Sequence, residues 1–510
     1  MRRTLPLLLA AAAVAAVPTS ASARGFSYGV AAGEVTAKSA LLWARADKAG
    51  SYTLQVSTDR RFRRFVDERV VKATKNHDNT LQRTIKGLKP DTTYYYRFVN
   101  GSKRSSVGKF RTAPDASKAK TIKFAFSGDA DAEPGVGSTK PFYNNFQAYR
   151  SMARAGNLFN VNLGDVIYSD SEVPGKGALA TTVKQKWEKY RQNLALRNLQ
   201  LFRGAAGSYS HWDDHEFAND FTKAENGSAV YKAGVRAFRD YMPVTYSTNR
   251  GIYRTFRWGK NVELFFLDER SFRSAKASAN HACDNPQTGG PDLAPTGPPA
   301  TRALFAVAVP SLAAPVSQQC LDTINDPKRT MLGSKQLAAF EKAVKASSAK
   351  WKLIMNEVPI QQYYALPYDR WEGYAAERTK LLQFLSANVK NVAFLSTDVH
   401  ANMVNDARFQ TLEAGGPKDS GIMDFASGPV ATMTYVKEID RTTGREGNGK
   451  LITDAFFKPP PPNGVGMKCA QTNVFSYAQV TVNSKQLKVA YRDQDGKALP
   501  DCGQFTVKAK

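Results

Sequence analysis

Acidic residues follow four apolar segments of this 510-residue sequence at the point where each segment ends. The aspartates are Asp129, Asp165, Asp268 and Asp398, and the segments before them are Ile122–Phe126, Leu158–Leu163, Val262–Leu267 and Val392–Ser396. Because ligands of open α/β sheets bind outside the carboxyl ends of the strands, we expect these carboxylates to meet at one edge. Carboxylates gathered in one place repel one another unless a cation neutralises them. The pattern therefore favours a metal site over separate helix N-caps, the alternative for any single aspartate.

A second acid-rich segment lies between the second and third of these aspartates. It reads His-Trp-Asp-Asp-His-Glu and contains Asp213, Asp214 and His215. Tyr168 and His400 follow closely behind two of the strand-end aspartates. Hard oxygen and nitrogen donors of this kind suit iron, calcium, manganese or zinc. These five side chains are therefore candidates for binding metal ions or their ligands.

The elements that must position these residues differ between two parts of the chain. Residues 24–115 contain short alternating segments, and a Pro-Asp turn leads into a Thr- and Tyr-rich strand at residues 88–98. This pattern predicts an all-β sandwich that resembles a fibronectin type III module. Residues 116–510 alternate continuous apolar segments with helical patterns, which predicts an α/β (α+β) core of mixed sheets flanked by helices. A proline-rich insertion is expected at about residues 281–327, and a β-rich segment at about residues 466–510.

The cysteines and the N-terminus both indicate export. Residues 1–23 have a basic start, a short apolar segment and an Ala-Ser-Ala cleavage site, as in a signal peptide. The arginine pair in this segment does not distinguish the Sec route from the twin-arginine route. The four cysteines favour disulfides in a secreted, periplasmic or envelope protein. Pairing neighbours, Cys283 with Cys320 and Cys469 with Cys502, closes the shortest loops, and the other two pairings stay open.

The formal charge of the sequence is +26, from 71 Lys and Arg against 45 Asp and Glu. No apolar run is long enough for a membrane span, so we expect no transmembrane segment. The sequence contains neither a known nucleic-acid motif nor a concentrated basic tract, so we expect no stable nucleic-acid partner. The charge instead favours phosphorylated small molecules or anionic polymers as substrates, and association with an anionic envelope. We expect a monomer.

The chemical motifs occur in an order that resembles the calcineurin-like metallophosphoesterases. They are Gly128-Asp129, Gly164-Asp165-x-x-Tyr168, Asp214-His215-Glu216 and Asp398-x-His400. The Gly-Asp-x-x-Tyr form is the one found in purple acid phosphatases. More closely, residues 212–216, 267–270 and 397–400 resemble the alkaline phosphatase D (PhoD-like) family, which also has an N-terminal β-sandwich. The resemblance extends from about residue 26 to the C-terminus and implies a calcineurin-like metallophosphoesterase core.

The resemblance also implies a set of metal ligands. The ligands of one ion would be Asp129, Asp165, Tyr168 and His400. Asp165 would bridge to a second ion, whose further ligands would be Asp398 and either Asp213 or Asp214. The family implies Fe(III) with Ca²⁺, and Zn²⁺ or Mn²⁺ are alternatives. The family usually has a cysteine where this sequence has Asp129, which leaves the identity of the metals open.

Two cations held in this way predict hydrolysis of phosphoric esters, because they clamp phosphoryl oxygens and provide a metal-bound hydroxide that attacks phosphorus. His215 is expected to contact phosphate or protonate the leaving oxygen, with a role as a brace for the ligands as the alternative. Arg270 is expected to offer a guanidinium fork to phosphate, with a structural pair to Asp268 as the alternative.

We therefore expect a secreted alkaline phosphatase that hydrolyses phosphate monoesters and also accepts diesters. One alternative is a phosphodiesterase that acts on teichoic-acid-type polymers, phospholipids or nucleic acid. An alternative of another class is a non-catalytic envelope protein that binds polyanions.

Overall fold

The computed structural model of the protein describes residues 25–510, so the predicted signal peptide lies outside the described residues. The N-terminal strands are β1 (Val30–Gly33), β2 (Ser39–Arg45), β3 (Gly50–Ser57), β4 (Asp67–Ala73), β5 (Thr80–Lys86), β6 (Thr93–Asn100), β7 (Lys103–Arg104) and β8 (Gly108–Arg111). They form two antiparallel sheets, β1-β2-β5 and β4-β3-β6 with β7 and β8 both paired to β6. Tyr94, Tyr96 and Phe98 of β6 are buried while their neighbours are partly exposed. This alternation produces the predicted all-β sandwich.

The remaining strands build two larger sheets. They are β9 (Ile122–Ser127), β10 (Phe159–Leu163), β11 (Gly207–His211), β12 (Arg254–Trp258), β13 (Val262–Phe266), β14 (Trp351–Met355), β15 (Val392–Ser396), β16 (Asn402–Gln410), β17 (Lys418–Ala426), β18 (Cys469–Gln471), β19 (Ser476–Val482), β20 (Gln486–Asp493) and β21 (Gln504–Lys508). Sheet I has the order β11-β10-β9-β19-β20-β21, and sheet II has the order β12-β13-β14-β15-β17-β16-β18. Both are mixed, with parallel strands β9 to β11 in sheet I and β13, β14, β15 and β17 in sheet II.

The described part of the chain also contains α-helices. They are α1 (Gln147–Arg154), α2 (Val183–Ala195), α3 (Arg197–Ala205), α4 (Lys223–Tyr241), α5 (Pro299–Ala306), α6 (Gln318–Asn325), α7 (Ser334–Ala346), α8 (Ala375–Asn388), α9 (Tyr435–Thr443) and α10 (Asn448–Ile452). Helix α2 begins at a capping box in which Thr182 and Gln185 satisfy each other's backbone N–H groups. Between residues 25 and 510, no helix combines the length and the apolar character that a membrane crossing requires.

The inner faces of the two sheets share one apolar core. Phe126 and Val161 of sheet I pack in the same cluster as Leu264 and Leu395 of sheet II. Helices α1 to α4 pack on the outer face of sheet I, and α7 and α8 pack on that of sheet II. Strands buried on both faces must be apolar along their whole length, which is why β13 and β15 are nearly continuous apolar runs. The predicted fold class, an α/β core of mixed sheets preceded by an all-β sandwich, is confirmed.

The sandwich contacts the core through buried polar groups. The indole of Trp43 donates a hydrogen bond to the carbonyl of Asp240 at 2.9 Å, and Glu34 forms an ion pair with Arg254. His77 lies in the segment between β4 and β5, and its Nδ1 lies 2.6 Å from the Asp240 carboxylate. Its side chain is only half exposed because the loop that carries it lies against α4.

Two disulfides pair neighbouring cysteines of the chain. Cys283–Cys320 closes the proline-rich insertion, which contains α5 and α6. Cys469–Cys502 connects β18, at the edge of sheet II, with the segment between β20 and β21 of sheet I. The second disulfide therefore joins sheet II to sheet I through the C-terminal part of the chain. His281 is exposed and contacts Asp284 within the insertion.

We expect replacement of both Cys469 and Cys502 by serine to lower the free energy of unfolding by about 3–4 kcal/mol. The reason is that the bond removes conformational freedom from an unfolded segment with a sequence separation of 33. Urea unfolding followed by tryptophan fluorescence measures the change. An unfolding midpoint equal to that of the unsubstituted protein would show that the inter-sheet bond adds no stability.

Candidate metal centre

Three of the four predicted strand ends converge where sheets I and II meet. Asp129 follows β9 and Asp165 follows β10 in sheet I, while Asp398 follows β15 in sheet II. The backbone N–H of Asp398 donates to Oδ1 of Asp129 at 3.3 Å, and the Thr397 hydroxyl donates to the carbonyl of Leu163. These bonds join the carboxyl ends of the two sheets, so the three carboxylates are brought to one place by the β-structure itself.

The backbone at these residues adopts the left-handed conformation. The φ angles are 61° at Asp129, 47° at Asp165, 68° at Asp398 and 48° at His400. Positive φ is uncommon for residues other than glycine and costs on the order of 1–3 kcal/mol each. Four such residues in one cluster indicate that the surrounding structure holds these side chains in place against a local cost, as is typical of functional sites.

Two glycines allow the strand ends to approach each other. A Cβ atom at Gly128 would lie 2.9 Å from the carbonyl oxygen of Gly164, and one at Gly164 would lie 2.6 Å from Cβ of Asp213. Gly164 also has a φ of +106°, which side-chain-bearing residues rarely adopt. The Gly-Asp pairs of the sequence are thus explained by close packing of three loops around the carboxylates.

The donor atoms form three overlapping groups within which all atoms lie within 4.8 Å of one another. The groups are Asp129, Asp165 and His400; Asp165, Asp214 and His215; and Asp213, Asp214 and Asp398. Oη of Tyr168 lies 3.1 Å from Nε2 of His400, next to the first group. Asp165 and Asp214 each belong to two of the groups, so these two carboxylates connect the cluster.

The electrostatics of the cluster favour cations. Burial raises the pKa of the Asp129, Asp165 and Asp398 carboxyls well above the usual value, and the neighbouring carboxylates add to this increase. Within the described part of the chain, Oδ2 of Asp129, Oδ2 of Asp213 and Nδ1 of His400 have no hydrogen-bond partner. Buried acceptors without donors are rare in proteins, and metal ions provide what these atoms lack. The residues present therefore fit a cation site.

Asp213 and Asp214 occupy different positions. Asp214 borders the open cleft above the cluster, whereas Asp213 lies beneath it with no exposed surface. Oδ1 of Asp213 accepts a hydrogen bond from Nε of Arg270 at 2.6 Å. Glu216 connects the loop of Asp165 with the loop of Asp214, because its carboxylate accepts hydrogen bonds from the backbone N–H groups of Val166 and Asp213.

Arg270 is placed behind the cluster. Its side chain has no exposed surface, and its Nη1 donates to Oδ1 of Asp369 at 2.7 Å. It does not border the cleft, so the expected guanidinium fork to phosphate is replaced by a fork to Asp213 and Asp369. The alternative, a pair with Asp268, is limited to the backbone N–H of Arg270, which donates to that carboxylate at 3.2 Å.

The fourth strand end, at Asp268 after β13, was expected to join the cluster but does not. Asp268 accepts hydrogen bonds from Ile252 and Ser271, and Glu269 accepts them from the backbone of Val358 and the indole of Trp371. These carboxylates hold loops and stay outside the metal cluster. The end of β13 therefore supplies a positive charge to the cluster rather than another carboxylate.

His215 is held against Tyr168 above the cluster. The two rings are stacked with centroids 4.0 Å apart, and Nδ1 of His215 lies 2.7 Å from Oδ1 of Asp170. Although burial alone lowers the pKa of His215, the carboxylates of Asp214, Asp170 and Asp165 raise it well above the usual value. His211 has the opposite environment, because burial lowers its pKa and its ring contacts the carbonyl of Leu267 outside the cleft.

The cleft above the cluster has a volume of about 240 Å³. The charged residues that border it and that the sequence does not single out are Glu172, Asp220, Asp369, Arg370, Glu438 and Arg441. Glu172 lies four positions beyond Tyr168 and was within reach of sequence reasoning as an extension of that motif. The others come from loops and from α9 whose spacing carries no recognisable pattern.

Comparison with known proteins identifies a relative of similar sequence and structures of similar fold. The Bacillus subtilis (strain 168) protein alkaline phosphatase D is 25% identical over 426 residues, which are 75% of this chain and 65% of that protein. A solved structure of PhoD superposes with a TM-score of 0.73 at 21% identity, covering 97% of this chain and 94% of that one. A purple acid phosphatase from yellow lupin (Lupinus luteus) seeds has a TM-score of 0.56 at 11% identity, covering 94% and 73%. Both superpositions support the fold.

Family models match most of the sequence. The PhoD-like phosphatase N-terminal domain matches residues 11–114, and the PhoD-like phosphatase domain matches residues 136–491. The second match alone covers well over half of the chain. The chain therefore belongs to the PhoD-like phosphatase family.

Proposed function

We propose that the protein is a metal-dependent phosphatase that hydrolyses phosphate monoesters and also accepts diesters. The observation that carries the proposal is the set of overlapping donor groups around Asp165, at the base of an open cleft, in a member of the PhoD-like phosphatase family. Asp165 is buried and accepts a hydrogen bond from the backbone N–H of His215, and within residues 25–510 it has no ion pair with lysine or arginine that would compensate its charge. The proposal includes a preference for monoesters over diesters.

The residues that would hold the metals follow from the donor groups. One ion would be held by Asp129, Asp165, Tyr168 and His400. A second would share Asp165 and take Asp214 and Asp398, with Asp213 supporting them from beneath. When bound, such ions polarise the phosphoryl oxygens and lower the pKa of water so that it can attack phosphorus. Fe(III) with Ca²⁺ is the proposed pair, and an all-carboxylate second site suits Ca²⁺.

His215 is the proposed proton donor to the leaving oxygen or contact to phosphate. It borders the cleft, and Asp170 fixes the orientation of its ring. Arg270 is proposed as a positioning residue, because its guanidinium keeps Asp213 and Asp369 in place without reaching the cleft. A buried arginine that neutralises two carboxylates also limits the repulsion within the cluster.

Arg370 is the proposed guanidinium contact to phosphate. It borders the cleft, it is only 6% exposed, and its Nε has no hydrogen-bond partner within residues 25–510. The guanidinium lies 5.0 Å from the ring centroid of Tyr363, and one terminal nitrogen donates to the carbonyl of Ala365. A buried guanidinium with a free donor beside a metal cluster is suited to an incoming anion.

The proposed location is outside the cytoplasm. Two disulfides within residues 25–510 suit an oxidising compartment, and the segment before them has the sequence features of a signal peptide. The division of the chain near residue 115 is also a proposal. It is supported by the change from antiparallel sandwich strands to the mixed sheets.

Asp165→Asn tests the role of the carboxylate that the two ions would share. We expect this change to lower kcat on p-nitrophenyl phosphate by at least about a thousandfold, because the bridging ligand supports several kcal/mol of transition-state stabilisation. We also expect fewer metal ions per chain by elemental analysis. The control is Asp322→Asn on the exposed face of α6. Unchanged turnover in Asp165→Asn would contradict the metal mechanism, and an inactive parent protein supplied with metals would favour a polyanion-binding role.

Arg370→Met tests the proposed guanidinium contact to phosphate. We expect kcat/KM for p-nitrophenyl phosphate to fall about tenfold to a hundredfold, because a hydrogen bond to a charged group contributes about 1.5–3 kcal/mol. The metal content should stay the same, and Arg370→Lys should recover part of the loss. Assays on metal-loaded protein and elemental analysis check both points. A variant with full kcat/KM would show that Arg370 does not contact phosphate.

The net charge of +26 predicts that turnover of anionic substrates depends on salt. We expect kcat/KM to fall as salt shortens the Debye length from about 30 Å at 0.01 M to about 3 Å at 1 M. A dianionic monoester should lose more than the monoanionic bis(p-nitrophenyl) phosphate, because attraction scales with substrate charge. Parallel salt series with the two substrates measure the difference. Equal responses would contradict electrostatic steering.

A further inference from the structure

A groove lies between the β-sandwich and α3, and we name it the basic groove. Its volume is about 700 Å³, against about 240 Å³ for the metal cleft. Among the described residues that line it, the charged ones are all cationic, namely Arg60, Arg104, Lys109 and Arg197. None of its described lining residues also lines the cleft. The basic groove is therefore a separate site, with a charge opposite to that of the carboxylate cluster.

The basic groove lies away from the metal cluster. Gly204 and Ala205 line it at the end of α3, shortly before β11 begins. Strands β10 and β11 are parallel, and Asp165 and Asp214 follow their carboxyl ends. The groove is thus at the opposite edge of sheet I. A ligand bound there leaves the cleft open.

Three cations of the basic groove have no carboxylate partner. Arg60, Arg104 and Lys109 are exposed, and within residues 25–510 their side chains form neither ion pairs nor hydrogen bonds. Burial and the nearby charge of Arg104 lower the pKa of the Arg97 guanidinium, so like charges already repel one another beside the groove. Charges of one sign on a concave surface attract counter-ions strongly. The groove is therefore suited to an anion.

The turn between β3 and β4 supplies Arg60. Residues 60–64 read Arg-Arg-Phe-Arg-Arg, so the expectation that the sequence has no concentrated basic tract is wrong. Asp59, the carboxylate next to them in sequence, accepts hydrogen bonds from the side chain of Arg63 at 2.7 Å and from the backbone N–H of Arg61. Its charge is compensated within the turn, which leaves Arg60 available to a ligand.

Hydrogen bonds fix both walls of the basic groove. On the sandwich side, the hydroxyl of Ser105 accepts a hydrogen bond from the backbone N–H of Phe98 at 2.9 Å. On the side of α3, the amide of Gln200 donates to the carbonyls of Ser27 and Leu194 at 3.2 and 2.7 Å. Because the walls are held before a ligand arrives, little ordering of the protein backbone is needed on binding.

We propose that the basic groove binds a linear, base-free polymer of phosphate groups and so holds the protein on that polymer while the metal cleft stays free. Arginine guanidinium groups donate in pairs to phosphate oxygens, which suits Arg60 and Arg104 to this ligand. A single phosphate would leave most of the 700 Å³ empty, whereas a chain of phosphates can contact cations on both walls. The inference does not depend on turnover at the metal cluster.

The lining of the basic groove distinguishes this polymer from nucleic acid. Proteins that bind single strands stack successive bases on several aromatic side chains. Among the described residues that line the groove, Tyr95 is the only aromatic one with appreciable exposed surface, because Phe26 is buried. The concave shape, between two separate elements, also differs from the flat or protruding surface that a lipid bilayer requires.

The experiment measures binding of inorganic polyphosphate to the metal-loaded protein at constant ionic strength, with excess orthophosphate present to occupy the cleft. The groove variant replaces the three exposed cations of the groove by glutamine, at Arg60, Arg104 and Lys109. We expect its affinity to fall about tenfold or more, because three ion pairs with phosphate are lost. Its kcat on p-nitrophenyl phosphate should stay unchanged, since none of these residues lines the cleft.

The matched control removes the same charge from another surface. It replaces three exposed lysines of α7 by glutamine, at Lys335, Lys342 and Lys345. Its affinity for polyphosphate should stay within about twofold of the parent protein, because screened charges far from the ligand contribute little. Equal weakening in the groove variant and the control would show that only net charge matters, and would overturn the inference.

Three further arms identify the ligand. Loss of polyphosphate binding when orthophosphate is added would show a site for single anions, and tighter binding of oligothymidylate would show a nucleic-acid site. Phosphatidylglycerol vesicles are included because Phe65 and Val66, in the turn that carries Arg60, are 45% and 49% exposed. Vesicle binding that the groove variant loses while it keeps polyphosphate binding would show a membrane surface. Each of these three results would overturn the inference.

Thermal unfolding checks that the groove variant is folded. If it is not, the single change Arg104→Gln at an exposed residue gives the same test. We expect this change to weaken polyphosphate binding about twofold to fivefold, as for one exposed ion pair. Unchanged affinity in folded Arg104→Gln and in folded Lys109→Gln would contradict the proposed site.

Discussion

Repulsion among buried carboxylates is the constraint on which the rest of this structure depends. Asp129, Asp165, Asp213, Asp214 and Asp398 converge on one small volume, and each is almost fully enclosed or borders the same cleft. Such a cluster is unfavourable unless positive charge compensates it. Arg270 supplies part of that charge from beneath, and its contacts with Asp213 and Asp369 fix the two carboxylates. A bound cation would supply the remaining charge, and its binding would then be coupled to folding of this region.

The backbone has to accept a cost to bring these groups together. Left-handed residues and close-packed glycines turn the chain sharply at the ends of β9, β10 and β15. The regular strands before those turns are buried on both faces, so the apolar core resists displacement of the strand ends. Hydrophobic packing provides the stability, and the strand ends use part of it to hold like charges close to one another.

Much of this organisation follows from residue patterns. Strand-end aspartates are visible because β9, β10 and β15 are rich in large apolar residues, and a Gly-Asp pair marks two of the sharp turns. The position of Arg270 does not follow, because an arginine after a strand has the same pattern whether it faces a cleft or lies behind it. The difference depends on Asp369, which is remote in sequence and pairs with Arg270 only in three dimensions. The place of Arg370 at the cleft does not follow from the sequence for the same reason.

The central strand of sheet I has a neighbour that is far away along the chain. Strand β9 lies between β10 and β19, and the hydroxyl of Ser127 donates to the carbonyl of Ser476, 349 positions later. Pairings this distant are slow to form and come late in synthesis. A nascent chain still held by a ribosome or a translocation pore therefore lacks one side of the strand that carries Asp129. The position of Asp129 is consequently fixed only after β19 has been synthesised, which places assembly of this region at the end of synthesis rather than at its start.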